Sequence, residues 1–84
     1  MRHARSDALD RLEPVLAALR AMPELTERSR GIFYRRSKAF VHFHEDDAGL
    51  FADLKTSAKF ERFRVSAPKE RSLFLRTVRA LLKA

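Results

Sequence analysis

The stretch AFVHFHEDDAGLFADLK, residues 39–55, sets His42 and His44 two residues apart and brings Asp53 back after an acidic turn. Imidazoles at i and i+2 of a strand point the same way, and a carboxylate on the neighbouring strand completes three donors of a metal site with an open position. The same three side chains also read as a solvated sheet face in which His42 and Asp53 form a cross-strand pair worth roughly 0.2–1 kcal/mol. No HExxH-type motif accompanies them, so the solvated face is the expected reading and a metal site of His42, His44 and Asp53 the alternative. Glu45, Asp46 and Asp47 lack the alternating spacing and terminal glutamate of a calcium loop.

Whether these groups share a surface depends on strand register. Opposed residues of an antiparallel hairpin share a face, so the parity of their summed numbers decides which side chains go together. Placing Ala39, Val41 and Phe43 with Leu50, Ala52 and Leu54 requires an odd sum. A four-residue turn, Asp46-Asp47-Ala48-Gly49, satisfies it and opposes His42 to Asp53 and His44 to Phe51. The same parity pairs Tyr34 with Ala39 and Phe33 with Phe40 across Arg35-Arg36-Ser37-Lys38. The core face is then Ile32, Tyr34, Ala39, Val41, Phe43, Leu50, Ala52, Leu54, Phe63 and Val65. The opposite face holds Phe33, Arg35, Phe40, His42, His44, Phe51, Asp53, Lys55, Arg62 and Arg64, with Phe60 near its edge.

Around the strands lie two helical segments. Leu9, Leu12, Leu16 and Leu19 recur at helical spacing in residues 6–22, with Pro14 delaying the well-formed helix to about Arg11 behind an Asp10/Glu13 capping box. Pro23 ends it, and PELTERSRG reads as a connecting loop. Four strands follow, 32–35, 39–44, 50–55 and 60–65, and then a helix over 66–83 with Ser66 as N-cap and Phe74, Val78, Leu81 and Leu82 on its buried stripe. The expected fold is α+β: N-terminal helix, four-stranded antiparallel meander, C-terminal helix, both helices on one sheet face. All 84 residues form a single domain, with residues 1–6 frayed.

The chain carries a formal charge of +7, which makes a polyanion the first partner to consider. On the polar sheet face Arg35, Lys55, Arg62 and Arg64 are the candidate phosphate contacts, and Phe40 and Phe51 the candidate stacking platforms for single-stranded nucleic acid. A homodimer built through the same phenylalanines is the competing use of that face. No cysteine is present, so disulfides, thiolate metal sites and a cysteine nucleophile are excluded. That absence and the lack of a signal peptide suggest a cytoplasmic protein, and the longest apolar run, Val15 to Leu19, is too short to span a membrane. There is no GxSxG elbow or phosphate loop, so binding rather than catalysis is expected, without a cofactor.

Met22-Pro23-Glu24-Leu25-Thr26-Glu27, Ser37-Lys38-Ala39-Phe40 and Leu54-Lys55 stand where the MmcQ/YjbR-like family shows an LPGxxE loop, a GKxF turn and a strand leading to LK. The chain resembles that family over about half its length. It departs where Ser37 replaces the glycine before Lys38, and where FERFRV follows Lys55 almost directly. The resemblance implies a compact α+β domain with a proposed nucleic-acid surface formed by hairpins, and Lys38 is the one binding residue it carries over.

Overall fold

In the computed structural model of the chain, which describes residues 2–84, Pro14 divides the first helical segment in two. A proline has no amide hydrogen and its ring collides with the carbonyl one turn back. Helix α1 (Ser6–Arg11) therefore stops at Leu12, and α2 (Glu13–Arg20) starts afresh with Pro14 in its first turn, where no amide donor is needed. Leu12, fully buried at the junction, serves both pieces: its amide donates to the carbonyls of Ala8 and Leu9, and its carbonyl accepts from Val15 and Leu16. The expected capping box at Asp10 and Glu13 does not form. Arg30 donates to both carboxylates, at 2.8 and 2.7 Å, and Arg20 joins Glu13 to Glu27, each at 2.6 Å. Helical structure thus begins at Ser6, earlier than expected.

Among the described residues the sheet has six strands where four were expected. They are β1 (Arg2–His3), β2 (Thr26–Ser29), β3 (Ile32–Arg35), β4 (Lys38–Asp46), β5 (Gly49–Lys55) and β6 (Phe60–Arg64). Strands β2 to β6 lie side by side in chain order as an antiparallel meander, and β1 adds beside β4. The segment read as a loop supplies β2, and the segment read as frayed supplies β1, through pairing of Arg2 with Glu45 and His3 with His44. Met1 lies outside the described residues. The β2–β3 turn depends on Gly31, whose φ of +81° suits glycine and where a Cβ would come within 2.7 Å of the Leu9 side chain.

Helix α3 (Pro68–Lys83) completes the fold. Its cap is Ala67, not Ser66: the Glu70 carboxylate accepts from the amides of Ala67 and Ser66 at 2.8 and 3.0 Å, and the Ser66 hydroxyl accepts from the Leu50 amide at 2.8 Å. Leu9, Leu12, Val15, Leu16 and Leu19 from α1 and α2, with Phe74 and Val78 from α3, pack into one core with Val41, Phe43, Leu50, Ala52, Leu54 and Val65 from the sheet. Phe74 meets Phe43 and Phe63, with ring centroids 6.2 and 5.8 Å apart. Among the described residues no helix is long and apolar enough to cross a membrane.

The β4–β5 register is the expected one, with His42 opposite Asp53 and His44 opposite Phe51. The β3–β4 register is not. Tyr34 does oppose Ala39, but Phe33 opposes Val41, so Phe40 is an extra residue in a β-bulge. The bulge reverses the facing of β3. Phe33 and Phe40, expected on the polar face, are 0% and 4% exposed within the core, while Ile32, Tyr34 and Ala39 are only half-buried. Burying two phenylalanines is worth roughly 1.5–3 kcal/mol each, more than the net value of about 0.5–1.5 kcal/mol of one interrupted ladder hydrogen bond. Phe40→Ala is accordingly expected to destabilise the fold by about 3–5 kcal/mol in urea unfolding, whereas Phe60→Ala, at a 42% exposed position, should stay within about 1 kcal/mol.

Candidate functional site

On the sheet face away from the helices, residues of β1, β4, β5 and β6 converge. His42, Asp53 and Arg62 stand in one cross-strand row, and His3, His44, Phe51 and Arg64 in the next. Asp53, 8% exposed, is the buried charged residue of the described chain. Its carboxylate accepts two hydrogen bonds from the Arg62 guanidinium, at 2.8 and 2.9 Å, a fork-on-fork contact that directs both partners. Asp53 Oδ2 also lies 3.1 Å from His44 Nε2 and 3.9 Å from His42 Nδ1, and the two ring nitrogens are 2.9 Å apart. His42, His44 and Asp53, the three side chains of the alternative reading, thus lie side by side.

A third imidazole joins it. The His3 ring stacks on His44 with centroids 4.8 Å apart, and Phe60 packs against His42 at 4.9 Å. His3 was missed because Arg2-His3-Ala4 is too short to show a strand period. Burial lowers the pKa of both His42 and His44 below the ordinary imidazole value, outweighing the pull of Asp53, and the Arg62 hydrogen bonds lower that of Asp53. At neutral pH His42 and His44 are thus neutral imidazoles beside a carboxylate whose charge Arg62 balances.

The residues expected to bind a polyanion on this face divide between two places. Arg62 is held by Asp53, and Arg64 by Glu70 at 3.0 Å and by the Ala48 carbonyl at 3.1 Å. Phe51 is half-buried between His44 and Arg64, and Phe40 faces the core, so the two do not make an exposed aromatic pair for stacking or for dimerisation. Arg35, Lys38, Phe40 and Lys55 gather instead at the end of the sheet. There they line a cleft of about 330 Å³ together with Arg36, Ala39, Thr56, Ser57 and Leu81.

The cleft lies between the β3–β4 turn, the residues after β5 and the last turn of α3. Its floor is apolar, from Phe40, Ala39 and Leu81, and the Arg35 guanidinium sits 5.7 Å from the centroid of the Phe40 ring. Its rim is cationic. Among the described residues Arg35, Arg36, Lys38 and Lys55 form no ion pair, in contrast to Arg2, Arg20, Arg30, Arg62 and Arg64. The turn carrying Arg36 is tight: Arg36 and Ser37 both adopt positive φ, 54° and 74°, a conformation that costs about 1–2 kcal/mol per residue outside glycine. In the sequence Arg36 reads only as part of a turn and Leu81 as a member of the helix stripe, and Thr56 and Ser57 fall between two strands with no period to mark them.

The depressed imidazole pKa values set a pH response in the metal-free protein. Unfolded histidines take up protons below about pH 6.5, while the folded His42 and His44 resist doing so. Their contribution is thus complete above 6.5 and is lost as pH falls through the lower folded values. Asp53, with a pKa below 3.8, adds its own loss only in stronger acid. Urea midpoints measured with a chelator present should fall between pH 7.5 and 5, and His42→Ala with His44→Ala should flatten that step. Comparison with family models, with curated proteins and with solved structures found no match.

Proposed function

We propose that this chain is a small basic binding module that takes phosphate-bearing polyanions, single-stranded nucleic acid foremost, in the cleft between the β3–β4 turn and the end of α3. The observation that carries this reading is the set of four cations, Arg35, Arg36, Lys38 and Lys55, left without carboxylate partners around one concave surface. Unpaired cations around an opening attract phosphate oxygens, because the Coulomb gain is not already spent on an internal ion pair. Thr56 and Ser57 add hydroxyl donors, and the apolar floor suits the sugar or base edge of a nucleotide.

The cleft lining contains neither histidine nor carboxylate, which favours binding over catalysis there. The resemblance to MmcQ/YjbR-like proteins supports the same place, since Lys38, the residue it carries over, lies on the cleft rim. A cytoplasmic location, in keeping with the cysteine-free sequence, belongs to the same proposal.

Affinity for a single-stranded oligonucleotide should fall linearly in log salt, with a slope of roughly −3 if all four cations meet phosphates at about −0.7 each. Replacing Arg35, Arg36, Lys38 and Lys55 by alanine in pairs should weaken binding about tenfold or more and flatten the slope. Removing the exposed Arg76 and Arg79 of α3 changes net charge equally and should do much less. Equal losses from the two sets would reduce the binding to generic attraction.

A further inference from the structure

We propose that His3, His42 and His44 form a site for one divalent transition metal ion, of the zinc, cobalt or nickel type, on the open face of the sheet. The donor atoms of these three imidazoles all lie within 4.8 Å of one another. A tetrahedral shell with metal–nitrogen bonds of about 2.0–2.1 Å places neighbouring donors roughly 3.3 Å apart. His42 Nδ1 and His44 Nε2 already stand 2.9 Å apart. Closing three donors onto one ion therefore needs side-chain adjustments on the order of 1 Å, with no change in strand pairing. Three imidazoles and no cluster of carboxylate oxygens is a donor set for zinc, cobalt, nickel or copper, and it disfavours magnesium and calcium.

Three features prepare the site. His42 and His44 are half-buried on one rigid strand, so their separation is set by the backbone. The short contact between their ring nitrogens is a hydrogen bond when one of them carries the proton; a metal bound there takes the proton's place, and the proton moves to the other nitrogen of the same ring. Asp53 Oδ2, 3.1 Å from His44 Nε2, places a negative charge beside the ion, and Arg62 holds that carboxylate in position. His3 is exposed and leaves one side of the ion open to water or to a further ligand. The site also has a structural consequence. Strand β1 is anchored by two residue pairs, the Ala4 amide to the Phe43 carbonyl at 3.0 Å and Arg2 to Glu45; a metal held jointly by His3 and β4 fastens it to the sheet.

The test is calorimetric titration of the full chain with zinc chloride and, separately, cobalt chloride at pH 7.5, with magnesium chloride as control. The expected result is one zinc or cobalt ion per chain, a melting temperature that rises with metal concentration, and no response to magnesium. His42→Gln and His44→Gln should each abolish binding. Should either fail to fold, His3→Ala carries the test, because this exposed residue can be removed while the metal-free melting temperature stays nearly unchanged. It should weaken binding at least tenfold. Arg35→Ala with Lys55→Ala should leave metal affinity unaltered, which separates this site from the polyanion cleft. Absence of saturable binding at one ion per chain, or an affinity unchanged by His3→Ala, would overturn the three-histidine site.

Discussion

Strand β4 is the constraint on which the other features depend. It pairs with β3 and β1 along one edge and with β5 along the other, so its alternation sets the facing of half the sheet. From Val41 to His44 that alternation is strict. Val41 and Phe43 enter the core, and His42 and His44 emerge beside Asp53. A slip of one residue would bury two imidazoles and expose two core side chains, so register and polar cluster are specified together. At Phe40 the alternation is broken once, and the break buries Phe33 as well. Phe40 also lines the cleft, with Arg35, Arg36 and Lys38 of the β3–β4 turn around it.

Charge is distributed by the same geometry. An excess of cations over the whole chain says only that polyanions are attracted. The ion pairs show which cations are already engaged within the molecule. Arg20 and Arg30 with Asp10, Glu13 and Glu27 brace α1 and α2 against the β2–β3 turn, and Arg62 and Arg64 are occupied by Asp53 and Glu70. Exposed pairs of this sort contribute little stability singly, yet they withdraw those guanidinium groups from competition for a ligand. Arg35, Arg36, Lys38 and Lys55, which form no ion pair among the described residues, share the cleft rim. The open sheet face, expected to be a basic platform, instead holds the protonation-resistant imidazoles of His42 and His44 around a carboxylate balanced by Arg62.

Much of this was legible in the residues, and the misses have physical causes. The β4–β5 hairpin was readable because Val41, Phe43, Leu50, Ala52 and Leu54 admit one parity and the Asp-Gly turn fits it. The bulge was not, because a strict two-residue period has no place for an extra residue, and Phe40 next to Val41 is the only local sign of one. Thr26–Ser29 carries no apolar residue, so its strand character comes from pairing with β3 and not from its own composition. Asp10 and Glu13 have the spacing of a capping box, but Arg30, distant in sequence, takes both carboxylates. The grouping of His42, His44 and Asp53 on one face was legible from parity alone, whereas His3 reached them through a strand of two residues. The residues read as one face divide between two places because Arg35, Lys38, Phe40 and Lys55 line a cleft with Leu81 of α3, away from His42 and Asp53.

That division is tested most directly by amide chemical shifts of the ¹⁵N-labelled chain during titration with a short oligodeoxythymidine. A ligand seated in the cleft shifts the amides of Arg35, Arg36, Lys38, Lys55, Thr56 and Ser57 and leaves those of His42, His44, Asp53 and Arg62 in place. Shifts concentrated on His42, His44, Phe51, Arg62 and Arg64, with the cleft amides unmoved, would contradict it and return the polyanion to the open face of the sheet.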